Sequence, residues 1–181
     1  IQKHGENRKL LPGIPVDPGI CLTSRLEDIR EAGLVLFAVP SRFVRSTAKE
    51  AAPFIRRDAI VVNVAKGLEE GTLKRLSQVL KEELPGHSIV ALSGPSHAEE
   101  VARGVPTTIV SASEDLAAAE LVQDELMNKT LRIYVSDDVV GVELGGTLKN
   151  IIALCAGICD GMGLGDNTKA ALMTRGIAEM S

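Results

Sequence analysis

The sequence of 181 residues lacks the features that mark several large classes of protein. No apolar run approaches the roughly 20 residues that a helix needs to cross a bilayer, and the polar start at residues 1–9 lacks the apolar core of a signal peptide. The formal net charge of −4 comes from interspersed acids and bases, so no basic stripe marks a nucleic-acid face. We therefore expect a cytoplasmic protein with neither a membrane span nor a nucleic-acid partner.

Cysteine and histidine are also scarce. The chain has three of each, which are Cys21, Cys155, Cys159, His4, His87 and His97. An odd number of cysteines without CxxC spacing suggests neither a disulfide framework nor a zinc knuckle, and no histidine has a second ligand at helical spacing. We expect no metal site, and we interpret the cysteines as small core residues.

What the chain does contain is a regular succession of apolar runs. With 45% hydrophobic and 24% charged residues, it falls in the globular range. Five runs predict strands, at residues 34–39, 60–64, 89–93, 107–111 and 131–136. Helical patterns lie between them, at residues 42–52, at 72–84 with Leu73, Leu76 and Leu80 on one face, and at about 115–128. The nearly uniform apolarity of the first run is typical of a parallel sheet covered on both faces, so we predict an α/β fold.

After Ser136 the sequence becomes apolar and rich in Gly and Ala, without further strand signals. We predict helices at residues 140–157 and from about 167 to the end, with Asp166 or Asn167 as the N-cap of the second. The predicted domains are residues 1–136 and 137–181. The GMGLG loop at 161–165 has GxGxG spacing and follows no strand, so we do not interpret it as a dinucleotide-binding loop.

Ligands bind outside the carboxyl ends of the strands in open α/β sheets, so the residues after each run are candidates for function. Pro40 and Phe43 follow the first run, and Phe43 is either a surface for a nucleotide ring or a core residue of the next helix. Lys66 follows the second run beside Gly67. A lysine in this turn is either a ligand for a phosphate or carbonyl group or an ordinary surface charge.

The third run leads into the sequence SGPSHAEE, in which Gly94 forms a turn. Ser96 is predicted to cap a helix that begins near His97, with Glu99 and Glu100 in its first turn. The free amides at such a helix start also suit an anionic group of a substrate.

The segment GVELGGTLKN carries Lys149 on a face of small and apolar residues, namely Val142, Gly145, Gly146, Ile152, Ala153 and Ala156. A lysine on such a face either extends to water or is buried with a lowered pKa, and the second state would let it exchange protons near neutral pH. Asn150 stands beside it, and its amide could orient a hydroxyl or carbonyl group.

Taken in order, the motifs LLPGI, AVPSRF, AKGLEEGTL, LSGPSHAEEV and GVELGGTLKNIIALCAGICDGMGLGDNTKAALMTRG resemble the NAD(P)-dependent glycerol-3-phosphate dehydrogenases over nearly the whole chain. The resemblance implies a Rossmann-like dinucleotide-binding domain followed by an all-α substrate domain. It also implies reversible hydride transfer between NAD(P)H and dihydroxyacetone phosphate, which gives sn-glycerol 3-phosphate for phospholipid synthesis.

The same resemblance implies roles for individual residues. Lys149 would be the proton acceptor in the oxidative direction, assisted by Asn150. The substrate would contact Lys66, Gly94, Ser96, Lys149 and Asn150. The cofactor, NAD or NADP, would contact Lys66, Ala98, Phe43 and Pro40.

The family's opening strand, its GxGxxG loop and its later aspartate and arginine cluster have no counterpart in this sequence. We therefore expect an internal fragment that is inactive by itself, and a homodimer is a possible assembly. A relative of the 6-phosphogluconate and β-hydroxyacid dehydrogenases is an alternative, but those enzymes usually separate their Lys and Asn by a helical turn, whereas Lys149 and Asn150 are adjacent. A second alternative is a non-catalytic nucleotide sensor with the same fold. The presence of Lys66, Ser96, Lys149 and Asn150 argues against it.

Overall fold

The computed structural model describes residue 1 and residues 4–180. The chain opens with an antiparallel hairpin of β1, Glu6–Asn7, and β2, Leu11–Pro15, which the sequence did not predict. The Glu6 carboxylate accepts a hydrogen bond from the Gly13 amide at 2.9 Å, and Gly13 has a φ of 78°. Strands of two and five residues are too short to show a clear alternation of apolar and polar residues. The sequence pattern therefore does not predict this hairpin.

All five predicted strands are present, with ends within two residues of the prediction. They are β3 Leu34–Phe37, β4 Ile60–Asn63, β5 Ile89–Ser93, β6 Thr107–Ala112 and β7 Leu131–Ser136. They form one sheet in the order β3-β4-β5-β6-β7. The predicted α/β fold is therefore confirmed.

One pair of neighbouring strands departs from the predicted parallel sheet, because β5 and β6 are antiparallel while the other pairs are parallel. Their connection contains only a five-residue helix, α3 in the numbering below. Five helical residues rise about 7 Å, whereas a five-residue strand spans about 17 Å. The connection is too short to return the chain to the opposite edge, so β6 enters the sheet in the reverse direction.

Helices cover both faces of the sheet. They are α1 Val44–Ala51, α2 Leu76–Glu83, α3 Ala98–Ala102 and α4 Leu116–Leu126. One core joins α1 and α2 to the sheet through buried residues such as Val44 and Leu80, and a second joins α4 to it through Val122 and Ile133. Burial on both faces accounts for the continuous apolar runs in the sequence.

The helix predicted at 72–84 begins four residues later than expected. Residues 69–74 form a turn in which the Glu69 amide donates to the Lys74 carbonyl at 2.9 Å, and Leu68 bridges to Arg75. Leu73 has a φ of 57° and is 74% exposed. Its predicted place on the buried face of the helix is therefore wrong, because the turn directs the chain away from the core before α2 starts.

The remaining elements are α5, Val139–Gly161, and α6, Gly165–Met180. Both are longer than predicted. Because α6 begins at Gly165, Asp166 and Asn167 lie within its first turn. The prediction that one of them is the N-cap is therefore wrong. The cysteine prediction is wrong for Cys21, which is exposed, while Cys155 and Cys159 on α5 are half-buried.

Helix α5 is long and apolar enough to cross a membrane by length and composition alone. It has 23 residues, and the mean hydropathy of its most apolar window is 1.5. The expectation of no membrane span did not foresee a helix of this length and apolarity. Core helices of soluble proteins pass the same test, but only 11% of this window is buried in the described part of the chain. Glu143 of α5 forms a largely buried ion pair with Arg75.

Candidate active site

The carboxyl end of β4 presents Lys66 through a turn held by the last residue of the strand. The buried Asn63 donates from Nδ2 to the Ala65 carbonyl at 3.0 Å, and its Oδ1 accepts from the Ala65 amide at 3.3 Å. Nζ of Lys66 then donates to the Gly94 carbonyl at 2.9 Å and to Oγ of Ser96 at 3.2 Å. Burial, with a smaller contribution from the charge of Lys149, lowers the pKa of Lys66.

Gly94 occupies a position that no larger residue fits without strain. Its φ is 149°, and an added Cβ would lie 2.9 Å from Cα of Ile109 on β6. Ser96, two residues later, donates from Oγ to the Gly94 carbonyl at 3.3 Å. The predicted capping role of Ser96 is wrong, because His97 is the N-cap of α3 and the hydroxyl of Ser96 is engaged with Lys66 and Gly94. Glu99 lies in the first turn of α3 as predicted.

Helix α5 packs against β5 and against the loop that follows β4. At Gly146 an added Cβ would lie 2.5 Å from Oγ of Ser93, so the missing side chain allows close approach to the sheet. One residue later, Oγ1 of Thr147 accepts from the Gly67 amide at 3.1 Å and donates to the Glu143 carbonyl at 2.8 Å. These contacts bring residues of α5 against the loop that carries Lys66.

A cleft of about 320 Å³ lies between α5 and the ends of β5 and β6. It is lined by Ser93, Gly94, Pro95, Val110, Gly141, Val142, Gly145, Gly146 and Lys149. Thus Lys149 shares a cleft with Gly94, whose carbonyl binds Lys66.

The side chain of Lys149 is exposed, and its Nζ donates to Oδ1 of Asn150 at 3.1 Å. The sequence left two states open for Lys149, and the structure shows the one in which its side chain extends to water.

The remaining predicted residues lie at the ends of neighbouring strands. Pro40 follows β3 and precedes a 3-10 turn, Ser41–Phe43. Phe43 is 45% exposed, and the Arg42 guanidinium lies 4.7 Å from the centre of its ring, so the alternative of a core residue is wrong. Ala98 is the exposed first residue of α3.

Four residues of this region were not singled out in the sequence: Asn63, Ser93, Glu143 and Thr147. Asn63 interrupts an apolar strand, which signals a buried polar group with local partners. Glu143 and Thr147 are four positions apart and therefore share a face of α5. A charge in a segment otherwise so apolar was the signal that could have identified this face.

Among the residues that the structure describes, no group of three or more His, Cys, Asp or Glu side chains could hold a metal ion. The site is instead formed by two lysines, backbone carbonyls and hydroxyl groups at the carboxyl edge of the sheet. A mostly parallel sheet with helices on both faces and a cleft at that edge is typical of the Rossmann-like class of α/β proteins.

Comparison with known proteins identifies the family within that class. The model of the NAD-dependent glycerol-3-phosphate dehydrogenase N-terminus matches residues 1–119, and the model of the C-terminus of the same family matches residues 138–181. The chain therefore belongs to the NAD-dependent glycerol-3-phosphate dehydrogenase family.

Individual relatives agree with this assignment. The chain is 56% identical over 181 residues to glycerol-3-phosphate dehydrogenase [NAD(P)+] of Desulfitobacterium hafniense, covering 100% of this chain and 51% of the relative. The enzyme of the same name from Moorella thermoacetica is also 56% identical, with 100% of this chain and 54% of the relative covered. The chain thus spans about half the length of these relatives.

Solved structures give the same result. The crystal structure of glycerol-3-phosphate dehydrogenase from Coxiella burnetii superposes with a TM-score of 0.91 at 34% identity, covering 99% of this chain and 55% of that one. The Plasmodium falciparum glycerol-3-phosphate dehydrogenase superposes with a TM-score of 0.89 at 29% identity, covering 97% and 50%.

Proposed function

We propose that this chain contributes to a dehydrogenase that interconverts dihydroxyacetone phosphate and sn-glycerol 3-phosphate with NAD or NADP, and so supplies phospholipid precursors. The observation that carries the proposal is that two lysines from different elements lie at Gly94, one bonded to its carbonyl and the other lining the same cleft. Lys66 follows β4 and donates to Gly94, while Lys149 of α5 lines the cleft beside Gly94. Family membership supports the same reaction.

In this proposal Lys149 transfers the proton. Reduction of a carbonyl group develops negative charge on its oxygen, which a nearby ammonium group stabilises before it supplies the proton. The exposed ammonium of Lys149 can exchange that proton with water. Asn150 accepts a hydrogen bond from Nζ of Lys149 and so restrains the lysine side chain.

Lys66, Gly94 and Ser96 are proposed to bind the substrate. Lys66 is partly buried and hydrogen-bonded to the other two residues, so its ammonium group is held in place before any ligand arrives. Such preorganisation lowers the cost of binding an anionic phosphate substrate. The positive charge of Lys149 nearby adds to the attraction for an anion.

The cofactor would supply the hydride when bound. The side chains at the carboxyl edge fit a dinucleotide, because the exposed ring of Phe43 offers an aromatic surface and the Arg42 guanidinium beside it offers a positive charge. We propose that Pro40, Phe43, Lys66 and Ala98 hold it.

We further propose that residues 1–136 belong to the dinucleotide-binding domain and residues 137–181 to the helical substrate domain. The sheet ends at Ser136 and two helices follow, which supports this boundary. Action in the cytoplasm, without a membrane span, and assembly as a homodimer stay predictions.

The test is turnover of dihydroxyacetone phosphate with NADH or NADPH by the native protein, followed by loss of the reduced cofactor's absorbance. Lys149→Ala should lower kcat by about 10²-fold or more, the usual contribution of a general acid or base. Binding of NADH, measured by its fluorescence, should be retained. Lys81→Ala is the matched control, because Lys81 pairs with Glu114 away from the cleft.

Two results would count against the proposal. Unchanged turnover in Lys149→Ala would remove Lys149 from the reaction. If the full-length protein does not oxidise NADH or NADPH with dihydroxyacetone phosphate, the proposed reaction itself is wrong.

A further inference from the structure

Glu143 of α5 makes a buried set of contacts that the proposed reaction does not use. Its Oε1 accepts from the Ser77 amide at 2.8 Å, and its Oε2 accepts from Oγ of Ser77 at 2.5 Å and from Nη1 of Arg75 at 2.7 Å. The Glu143 side chain is 7% exposed and that of Arg75 is 19% exposed. A carboxylate with three donors at this depth is held in one position, and loss of Arg75 would leave its buried charge unpaired.

The donors belong to the first turn of α2, where backbone amides have no partners within the helix. The negative charge of Glu143 is also favourable at this helix end. The contact therefore fixes α5 to α2, which is itself buried in the sheet core through Leu76 and Leu80.

The same face of α5 makes two more contacts, one helical turn farther along. Gly146 lies against Ser93, and Thr147 accepts from the Gly67 amide. Residues at i, i+3 and i+4 share a helix face, so Glu143, Gly146 and Thr147 form one docking face on the sheet. Lys149, on the adjoining face, lines the cleft.

We infer that Glu143 is a positioning residue: its bonds to Ser77 and Arg75 hold α5 on the carboxyl edge of the sheet and so set the place of Lys149 in the cleft. The consequence for turnover rests on the proposed function, but the positioning itself does not. A rigid helix transmits a shift at Glu143 to Lys149, because six helical residues span only about 9 Å.

Two measurements on the native protein test this inference with Glu143→Gln, which keeps the size of the side chain and removes its charge. The first is amide hydrogen exchange at Gly67, which depends on the docking of α5 through Thr147. Its exchange should rise by about tenfold or more, because the docked state loses stability relative to the open one. The second is kinetics: kcat should fall by about tenfold or more while NADH binding is kept, since small misplacement of a reacting group is costly.

Glu27→Gln is the matched control, because it removes a carboxylate from an exposed pair with Arg25, outside the contact between α5 and α2. It should leave both measurements unchanged. Ser77→Ala removes one donor to Glu143 and keeps the backbone bond, so it should change both measurements in the same direction by less. If Glu143→Gln does not fold, Ser77→Ala decides the question.

The inference is overturned if Gly67 keeps its protection in Glu143→Gln while the amides of α2 exchange faster, since Glu143 would then be only a cap for α2. The exchange measurement needs no activity. It therefore stands or fails separately from the proposed reaction, which the Lys149→Ala variant tests.

Discussion

Nζ of Lys66 donates a hydrogen bond to the Gly94 carbonyl at 2.9 Å, across 28 positions of sequence and between the ends of two adjacent strands. The bond joins a turn that follows β4 to a turn that follows β5. It holds a positive charge at the carboxyl edge of the sheet before any ligand is present. The two properties of the pair that can be varied separately are the charge environment of Lys66 and the backbone conformation of Gly94.

The first prediction concerns the electrostatic coupling of Lys66 and Lys149. Because the positive charge of Lys149 helps to lower the pKa of Lys66, Lys149→Met should raise the pKa of Lys66. Burial is the larger cause and is retained, so the pKa should stay below the ordinary value for lysine. NMR titration of lysines labelled at Cε, assigned with Lys66→Arg, measures this.

The control for that titration is Lys81→Met, which removes the same charge outside the cleft. It should leave the pKa of Lys66 unchanged. If both variants shift it equally, the coupling arises from net charge and not from the proximity of Lys149.

The second prediction is that Gly94→Ala destabilises the fold far more than Gly86→Ala. Both glycines have positive φ, at which an L side chain costs about 1–2 kcal/mol. At Gly86 nothing lies within 4 Å of an added Cβ, whereas at Gly94 the Cβ meets the backbone of Ile109. Overpacking against backbone adds about 1–3 kcal/mol, so the total for Gly94→Ala should be about 3 kcal/mol.

Urea unfolding of the two alanine variants measures the difference in free energy of unfolding. Equal losses would mean that the sheet relaxes around position 94 and that glycine is needed there for its φ alone. A displaced Gly94 carbonyl would also weaken the bond to Lys66, so the Lys66 titration described above provides an independent readout.

The strands of the sheet could be predicted from the sequence because burial on both faces leaves runs of apolar residues that need no knowledge of tertiary contacts. Lys66 and Gly94 could be assigned to the same edge because ligand groups follow the ends of parallel strands. The antiparallel direction of β6 could not be predicted in this way. It depends on the length of α3, which sequence patterns define poorly.

The environment of Lys149 also required the structure. Helical spacing indicated a face of small residues, but whether that face is covered depends on what packs against it. The face that docks on the sheet is instead the one with Glu143 and Thr147, whose partners Ser77 and Gly67 lie 66 and 80 positions away. Such pairings cannot be inferred from local periodicity.

The last prediction concerns acid stability and the cluster around Arg45. The Arg45 guanidinium donates to the carboxylates of Glu69, Glu82 and Glu83. Hydrogen bonds from Arg45 and then Thr72 lower the pKa of Glu69 from 4.5 to about 2. The bonds tie the turn before α2 to α1, so their loss should weaken the attachment of the segment that follows Lys66.

A lowered carboxylate pKa stabilises the folded state fully above the unfolded value. As pH falls below 4.5, the unfolded chain takes up a proton first, and the stabilisation is lost progressively until the folded state protonates near pH 2. Arg45→Met should therefore make the free energy of unfolding less dependent on pH in this range, and lower at neutral pH. Arg132→Met, which removes a guanidinium stacked on Tyr134, should keep the steeper dependence of the unaltered protein. Urea unfolding between pH 7 and pH 2 compares the three proteins, and equal slopes would show that Arg45 does not control the protonation of Glu69.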